Sequence, residues 1–283
     1  MSKRILIAIL IVIVTAVLFV FLGVKKTGNA VHPALSDRPV RASAQHPVKR
    51  VSARSLLNQA RQFEAKGSEL EAKDVYQKLV NDFPESPDVA GWQKKVEDIN
   101  IKLLFSPVIT PKSIAYQIRP GDTLNKIARE HKTTVELIMK SNHISDSFIL
   151  PGRKLKIWNA PFSILVDKSQ NILLLKSDEE VIKTYSVSTG KNNCTPVGTF
   201  RITNKLLTPT WFKSGAILPP GSAENVLGTR WMGFDLAGYG IHGTTEPKEL
   251  GKQVTQGCVR LSNSDVEELY SIVPPGTEVT IVD

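Results

Sequence analysis

The stretch Tyr239-Gly240-Ile241-His242-Gly243-Thr244-Thr245, followed by Thr255-Gln256-Gly257-Cys258-Val259-Arg260-Leu261, sets one histidine and one cysteine among glycines near the C-terminal end of the chain. Tyr239 and Ile241 alternate with Gly238 and Gly240, a pattern that suits a strand ending at His242, with Gly243 starting a turn. A thiol with an ordinary pKa of ~8.5 is mostly protonated at neutral pH, so it attacks carbonyls well only where a base or a positive field makes it thiolate. Cys258 is the candidate nucleophile and His242 the candidate base. Gly257 leaves room beside the thiol for backbone N–H groups to face an oxyanion.

Taken singly, a cysteine is most often a small buried apolar residue and a histidine a hydrogen-bonded core residue. Zinc needs three or four ligands, and no further Cys or His stands at ligand spacing nearby. The surrounding pattern shifts the balance. IHGTTEP, Gly251 and TQGCVRLSNSD together resemble the signature of the L,D-transpeptidase catalytic domain, the YkuD-type family of bacterial cell-wall enzymes. The resemblance extends upstream through Ser188-Thr189-Gly190, Thr195-Pro196-Val197-Gly198-Thr199-Phe200 and Leu227-Gly228-Thr229-Arg230-Trp231, and covers residues 160–283.

The resemblance implies that Cys258 attacks the third-residue carbonyl of a peptidoglycan stem tetrapeptide and expels D-alanine. The acyl group then passes to an amine, giving a 3-3 crosslink. It further implies that His242 generates the thiolate and that the Gly243 carbonyl orients the imidazole, with Gly257 and Arg260 supporting the cleft or the oxyanion pocket. Arg260 can equally be a structural ion-pair residue, and Trp211 and Trp231 either line the cleft or fill the core. Many members have Ser-His before Gly-Cys, where this chain has Thr255-Gln256. Nothing calls for a metal or an organic cofactor.

With 283 residues, 41% of them hydrophobic and 22% charged, the chain is long enough for two or three domains. If Cys258 must remain a free thiol, the other cysteine, Cys194, is expected to be unpaired as well. The net charge of +9 has no nucleic-acid-binding motif beside it, so no nucleic-acid partner is expected; anionic lipid or wall polymer suits the chain better.

Residues Ile5 to Val24 form an apolar run long enough to span a hydrocarbon core of roughly 30 Å. Lys25 and Lys26 close it where a cleavage site would be expected, so residues 1–26 read as a membrane anchor or signal segment. The flanking charges balance, and the remainder is placed outside the cytoplasmic membrane because its apparent substrate is there. Residues 27–52 mix proline with small and basic residues, a flexible basic tether.

Residues 53–106 are helical by apolar spacing, with breaks at Gly67 and at Pro84 and Pro87. Ala60, Gly67, Ala72, Tyr76, Leu79 and Pro84 look like a single tetratricopeptide repeat. It reads as a spacer, with a docking site for a protein partner as the alternative.

Residues 114–159 read as β-α-α-β. Asp122 is expected to cap the first helix, and Thr133 with Glu136 to open the second at capping-box spacing. YQIRPGDTL, Ile127-Ala128 and LPGRKL resemble the LysM module. That resemblance implies binding of N-acetylglucosamine-containing glycans in a groove framed by Gly121, Asp122, Thr123 and Leu124 and by Ile149, Leu150, Pro151 and Gly152.

Beyond Trp158 the texture turns to strands: Phe162 to Val166, Ile172 to Leu175 and Val181 to Val187 form a meander. A last helix is expected from Ser262, and a closing strand from Glu278 to Val282. The fold expected is a multidomain α+β chain. It comprises the membrane helix, a short tetratricopeptide-like segment, a LysM module and a β-rich catalytic domain over 160–283. The competing function is a non-catalytic peptidoglycan-binding protein; a transferase or hydrolase using a lipoprotein lysine or water as acceptor is a further alternative.

Overall fold

The computed structural model describes residues 52–213 and 215–283. The apolar run Ile5 to Val24 and the tether up to residue 51 lie outside the described residues, and Ser52, its last residue, serves as the cap of the first helix. Among the described residues no helix is long and apolar enough to cross a membrane. The chain divides into two compact units, one up to Gln93 and one from Lys94 to Asp283.

In the first unit, α1 (Ala53–Ala65) starts at Ser52, whose hydroxyl accepts from Ser55 N–H, and α2 (Glu69–Asp82) follows the Gly67 break. Gly67 has φ +71°, a left-handed turn that a side chain would resist. Leu56, Ala60, Ala72, Tyr76 and Leu79 are buried, and Tyr76 OH donates to Glu64 Oε2 at 2.8 Å. The third helix, α3 (Val89–Leu104), runs on into the second unit, where Leu104 joins the large core.

The LysM-like module pairs β1 (Ser113–Gln117) antiparallel with β2 (Lys154–Trp158), and between them lie α4 (Leu124–Glu130) and α5 (Val135–Ser141). Ile118, Leu124, Ile127, Ala128, Ile138, Leu155 and Ile157 form its core. Both expected caps are displaced by one residue. Thr123, not Asp122, caps α4 by accepting from Lys126 N–H, and Thr134, not Thr133, caps α5 by accepting from Leu137 N–H. Asp122 is drawn away because its Oδ2 accepts from Arg119 N–H at 2.8 Å and from Tyr116 OH at 2.7 Å. These bonds hold its carboxyl down to about 2, the Arg119 amide contributing most.

The remainder is built on eight strands in the order β13-β11-β10-β7-β14-β3-β4-β5. Here β3 is Phe162–Asp167, β4 Ile172–Ser177, β5 Glu180–Ser186, β7 Gly198–Leu207, β10 Arg230–Phe234, β11 Gly240–His242, β13 Val259–Arg260 and β14 Glu278–Val282. The meander β3-β4-β5 falls on the three apolar runs of the sequence. The C-terminal strand lies in the middle, parallel to β3 and antiparallel to β7, because Val279 and Ile281 are completely buried there. The short strands β6 (Thr189–Gly190) and β12 (Gln253–Thr255) pair separately, as do β8 (Trp211–Lys213) and β9 (Ala216–Leu218). The last helix, α6 (Asn263–Ile272), is capped by Ser262, which accepts from Asp265 N–H. It buries Val266 and Leu269 in the same core as Ile241 and Val259, which fixes the strands that carry the histidine and the cysteine.

Candidate active site

Strand β11 lies between β10 and β13, with Trp231 opposite His242 on one side and Arg260 opposite His242 on the other. Cys258 immediately precedes β13, so parallel pairing brings the two motifs together although 16 positions separate them in the sequence. The two glycines before the functional residues are demanded by close approach. A Cβ on Gly240 would stand 2.6 Å from Met232 O, and one on Gly257 2.7 Å from the Tyr239 ring. Gly257 also has φ +119°, which L side chains avoid.

Thr255 shapes the turn before the thiol. Its hydroxyl donates to Cys258 O at 2.7 Å and accepts from Gly257 N–H at 3.2 Å. The Gly257 amide is therefore engaged in the turn and is not a free donor for an oxyanion. Asn263, at the start of α6, accepts through Oδ1 from Thr244 N–H at 3.0 Å and Thr229 N–H at 3.2 Å, joining the segments after β11 and before β10. Neither role was visible in the motif; the nearest signal was an amide side chain just after the helix cap.

His242 is 3% exposed, and its Nδ1 lies 2.6 Å from Gly243 O. A carbonyl only accepts, so Nδ1 carries the proton and Nε2 keeps a lone pair. Burial lowers the imidazole pKa to about 4; the Gly243 carbonyl opposes this and the Arg260 charge adds to it. Burial pushes the Cys258 thiol up to about 11, against the Gly240 backbone and the Arg260 charge, which favour thiolate. The resting pair is thus a neutral thiol and a neutral imidazole at pH 7, and the thiol donates to Gly238 O at 3.5 Å. Both cysteines are free, and Cys194 is exposed.

His242, Cys258 and Arg260 line one cavity of about 740 Å³, with Trp211, Phe212, Leu227 and Trp231 supplying apolar walls. Trp231 stacks toward the imidazole with ring centroids 6.1 Å apart. Arg260 is buried, donates from Nη1 to Glu246 Oε2 at 2.9 Å, and has no partner for its Nε–H among the described residues. It is both the ion-pair residue and a wall of the cavity.

The expected glycan loops are placed differently from the cavity residues. Leu124 is 2% exposed and Asp122 is tied to the backbone, so neither side chain faces outward, and Thr123 is a helix cap. Gly121, Thr123, Leu150, Pro151 and Gly152 are exposed and Ile149 is half-buried, so the open rim is mostly backbone and apolar surface, with the Thr123 cap at its edge. Gly121 and Gly152 take φ +82° and +89°, which lets the two loops turn back on each other.

A β-rich domain with a thiol and an imidazole lining one cavity, preceded by a β-α-α-β module, has the parts of a cysteine acyltransferase. The L,D-transpeptidase catalytic domain (YkuD) matches residues 161–281, and the LysM domain matches residues 116–158. YkuD of Bacillus subtilis (strain 168), which bears the L,D-transpeptidase name, is 34% identical over 175 residues, 59% of this chain and 98% of its own length. YqjB of the same organism, similarly named, is 41% identical over 126 residues, 42% of this chain and 70% of its own. The solved catalytic domain of the E. faecium L,D-transpeptidase is 26% identical, covers 44% of this chain and 98% of its own, and superposes with a TM-score of 0.37. The chain belongs to the L,D-transpeptidase family and carries the catalytic domain of that family.

Proposed function

We propose that Cys258 is the acylated nucleophile of a transpeptidase that joins peptidoglycan stems through their third residues. The observation that carries this reading is the shared cavity, which His242 and Cys258 both line and in which the imidazole Nδ1 is held by Gly243 O. The thiol exchanges its Gly238 acceptor for His242 Nε2 and loses its proton there as Sγ attacks the third-residue carbonyl of a tetrapeptide. The C–N bond to the terminal D-alanine breaks, and the imidazolium returns the proton to the leaving amine. An amine of a second stem then attacks the thioester. A C–N bond forms, the C–S bond breaks, and the amine proton returns through His242 to sulfur. Arg260 keeps the thiolate favourable while disfavouring a resting imidazolium, and Glu246 holds it in place.

The LysM module binds glycan at the rim formed by Gly121, Leu150, Pro151 and Gly152. Such substrates place the chain on the extracytoplasmic side, with Ile5 to Val24 as its anchor. Incubation with a disaccharide tetrapeptide followed by mass spectrometry tests the reading. An adduct on Cys258 equal to the substrate less D-alanine is expected, and its absence while His242 and Cys258 are intact overturns it. Supplying an amine, a lipoprotein lysine or water as acceptor then separates crosslinking from attachment and hydrolysis.

A further inference from the structure

The LysM module is not attached to the catalytic domain by a flexible linker. Only Asn159, Ala160 and Pro161 separate β2 from β3, and Ala160 packs against the large core. Leu137 of α5 and Trp158 of β2 are themselves members of that core, and Trp158 stacks on Phe162 with centroids 5.7 Å apart. Polar contacts fix the rotation. Thr134 OH donates to Ser271 O at the end of α6, and Lys140 Nζ donates to Ser271 Oγ at 2.9 Å. Trp158 Nε1 donates to Ser177 Oγ at 3.3 Å, and Lys112 Nζ pairs with Glu180 at 2.9 Å.

A further tie runs through α3, whose Leu104 belongs to the same large core, and it is made by Lys156, only 3% exposed. Its ammonium donates to Leu103 O and, at 2.8 Å, to Ser106 O, with no carboxylate partner among the described residues. A buried ammonium held by carbonyls alone tolerates little displacement, since any gap leaves a charge without hydrogen bonds. The docked end of the β1–β2 ribbon is the Ser113–Trp158 end, whereas the loops at 121 and 150 lie beyond the opposite, Gln117–Lys154 end. Docking therefore leaves the exposed rim uncovered.

We propose that this docking makes LysM and the cavity a single composite site, so that the enzyme acts on stems borne by a glycan strand already seated in the LysM rim. The substrate class is stem-bearing polymer engaged at two points of fixed separation, and Lys156 and Leu137 are positioning residues for it. A freely tethered module would raise local concentration over a range of separations. A docked one presents only stems in register with the bound glycan. The proposal rests on the reading of Cys258 as nucleophile.

The test uses the whole chain carrying Leu137→Ala and Lys156→Ala, with about ten Gly/Ser residues inserted after Asn159 to free the module. Turnover of intact sacculi is expected to fall about tenfold or more, because orientation is lost. Turnover of the soluble disaccharide tetrapeptide and sedimentation with sacculi are expected to stay within about twofold. Sacculus turnover that also stays within twofold overturns the proposal, as does an equal loss on both substrates, which assigns the interface to folding alone. If sedimentation is lost, the insertion combined with Lys140→Ala alone is read by the same two rates. Failure of the unaltered chain to turn over the soluble muropeptide instead refutes the nucleophile reading, so the two failures are distinguishable.

Discussion

The cavity around Cys258 and the loops of the LysM module were both legible as motifs, yet their polar residues are used in opposite ways. In the cavity, the two titratable groups face enclosed space and are shifted by burial, the thiol up to about 11 and the imidazole down to about 4. In the LysM module, Asp122 and Thr123 turn a side-chain oxygen back onto their own backbone, and the surface left open is Gly121, Thr123, Leu150, Pro151 and Gly152. A motif residue is therefore chemistry where the fold turns it into the cavity, even with one local partner, as His242 has in Gly243 O. It is scaffold where a turn or a helix end holds it.

The sharpest way to break this contrast is to remove the groups said to be reactive. Cys258→Ala is expected to abolish acylation by the tetrapeptide. His242→Gln is expected to lower kcat/KM by about 10²-fold or more, since Gln cannot accept the thiol proton. Loss of less than tenfold in the glutamine variant would show that the imidazole is scaffold too. Alkylation of Cys258 by iodoacetamide provides a second measure. With the thiol near 11, the thiolate share rises about tenfold for each pH unit below that value, so the rate should climb steadily from pH 7 to 10. A rate already level at pH 7 would mean that a thiolate–imidazolium pair exists before substrate arrives.

Burial of the neutral imidazole also carries a stability signature. Its folded pKa of about 4 lies below the ordinary 6.5, so its contribution is complete above 6.5 and is lost as pH falls through that value toward 4. The gap corresponds to about 3 kcal/mol, so denaturant midpoints should fall over this window, and less so in His242→Gln. On the LysM side, Asp122→Asn removes a carboxylate that accepts from an amide, a phenol and a lysine. Tm should drop by a few degrees while muropeptide turnover remains unchanged.

How far the motifs could be read follows the same division. Helices α1 to α3, the LysM order and the β3-β4-β5 meander followed from apolar spacing and from Gly and Pro breaks, because local periodicity carries that information. His242 and Cys258 stood out through the pattern around them, IHGTTEP and TQGCVRLSNSD, rather than as single residues. What escaped depends on partners distant in sequence or on a choice between neighbours. Nothing local distinguishes Thr133 from Thr134 as a cap, and Asp122 left its expected cap for Arg119 and Tyr116. The roles of Asn263, Thr255 and buried Lys156 exist only once segments from elsewhere in the chain arrive beside them. The central position of β14 is likewise a matter of pairing, to which the alternation of Glu278 to Val282 is indifferent.

The smallest effect separates two leucines of the same module. Leu124 is 2% exposed in the small core, whereas Leu150 is 47% exposed on the rim. Leu124→Ala should cost about 2–5 kcal/mol of stability, because it empties a packed site, and its effect on sacculus binding should follow unfolding alone. Leu150→Ala removes no packed volume, so Tm should not move. If the rim covers a sugar face, losing part of one leucine's contact area costs about 0.5–1 kcal/mol, a two- to fivefold weaker sedimentation with sacculi. Unchanged sedimentation in Leu150→Ala, with the module still folded, would move the glycan contact to the exposed backbone of Gly121 and Gly152. The division of labour inside the motif would then be between backbone and side chain rather than between inward and outward residues.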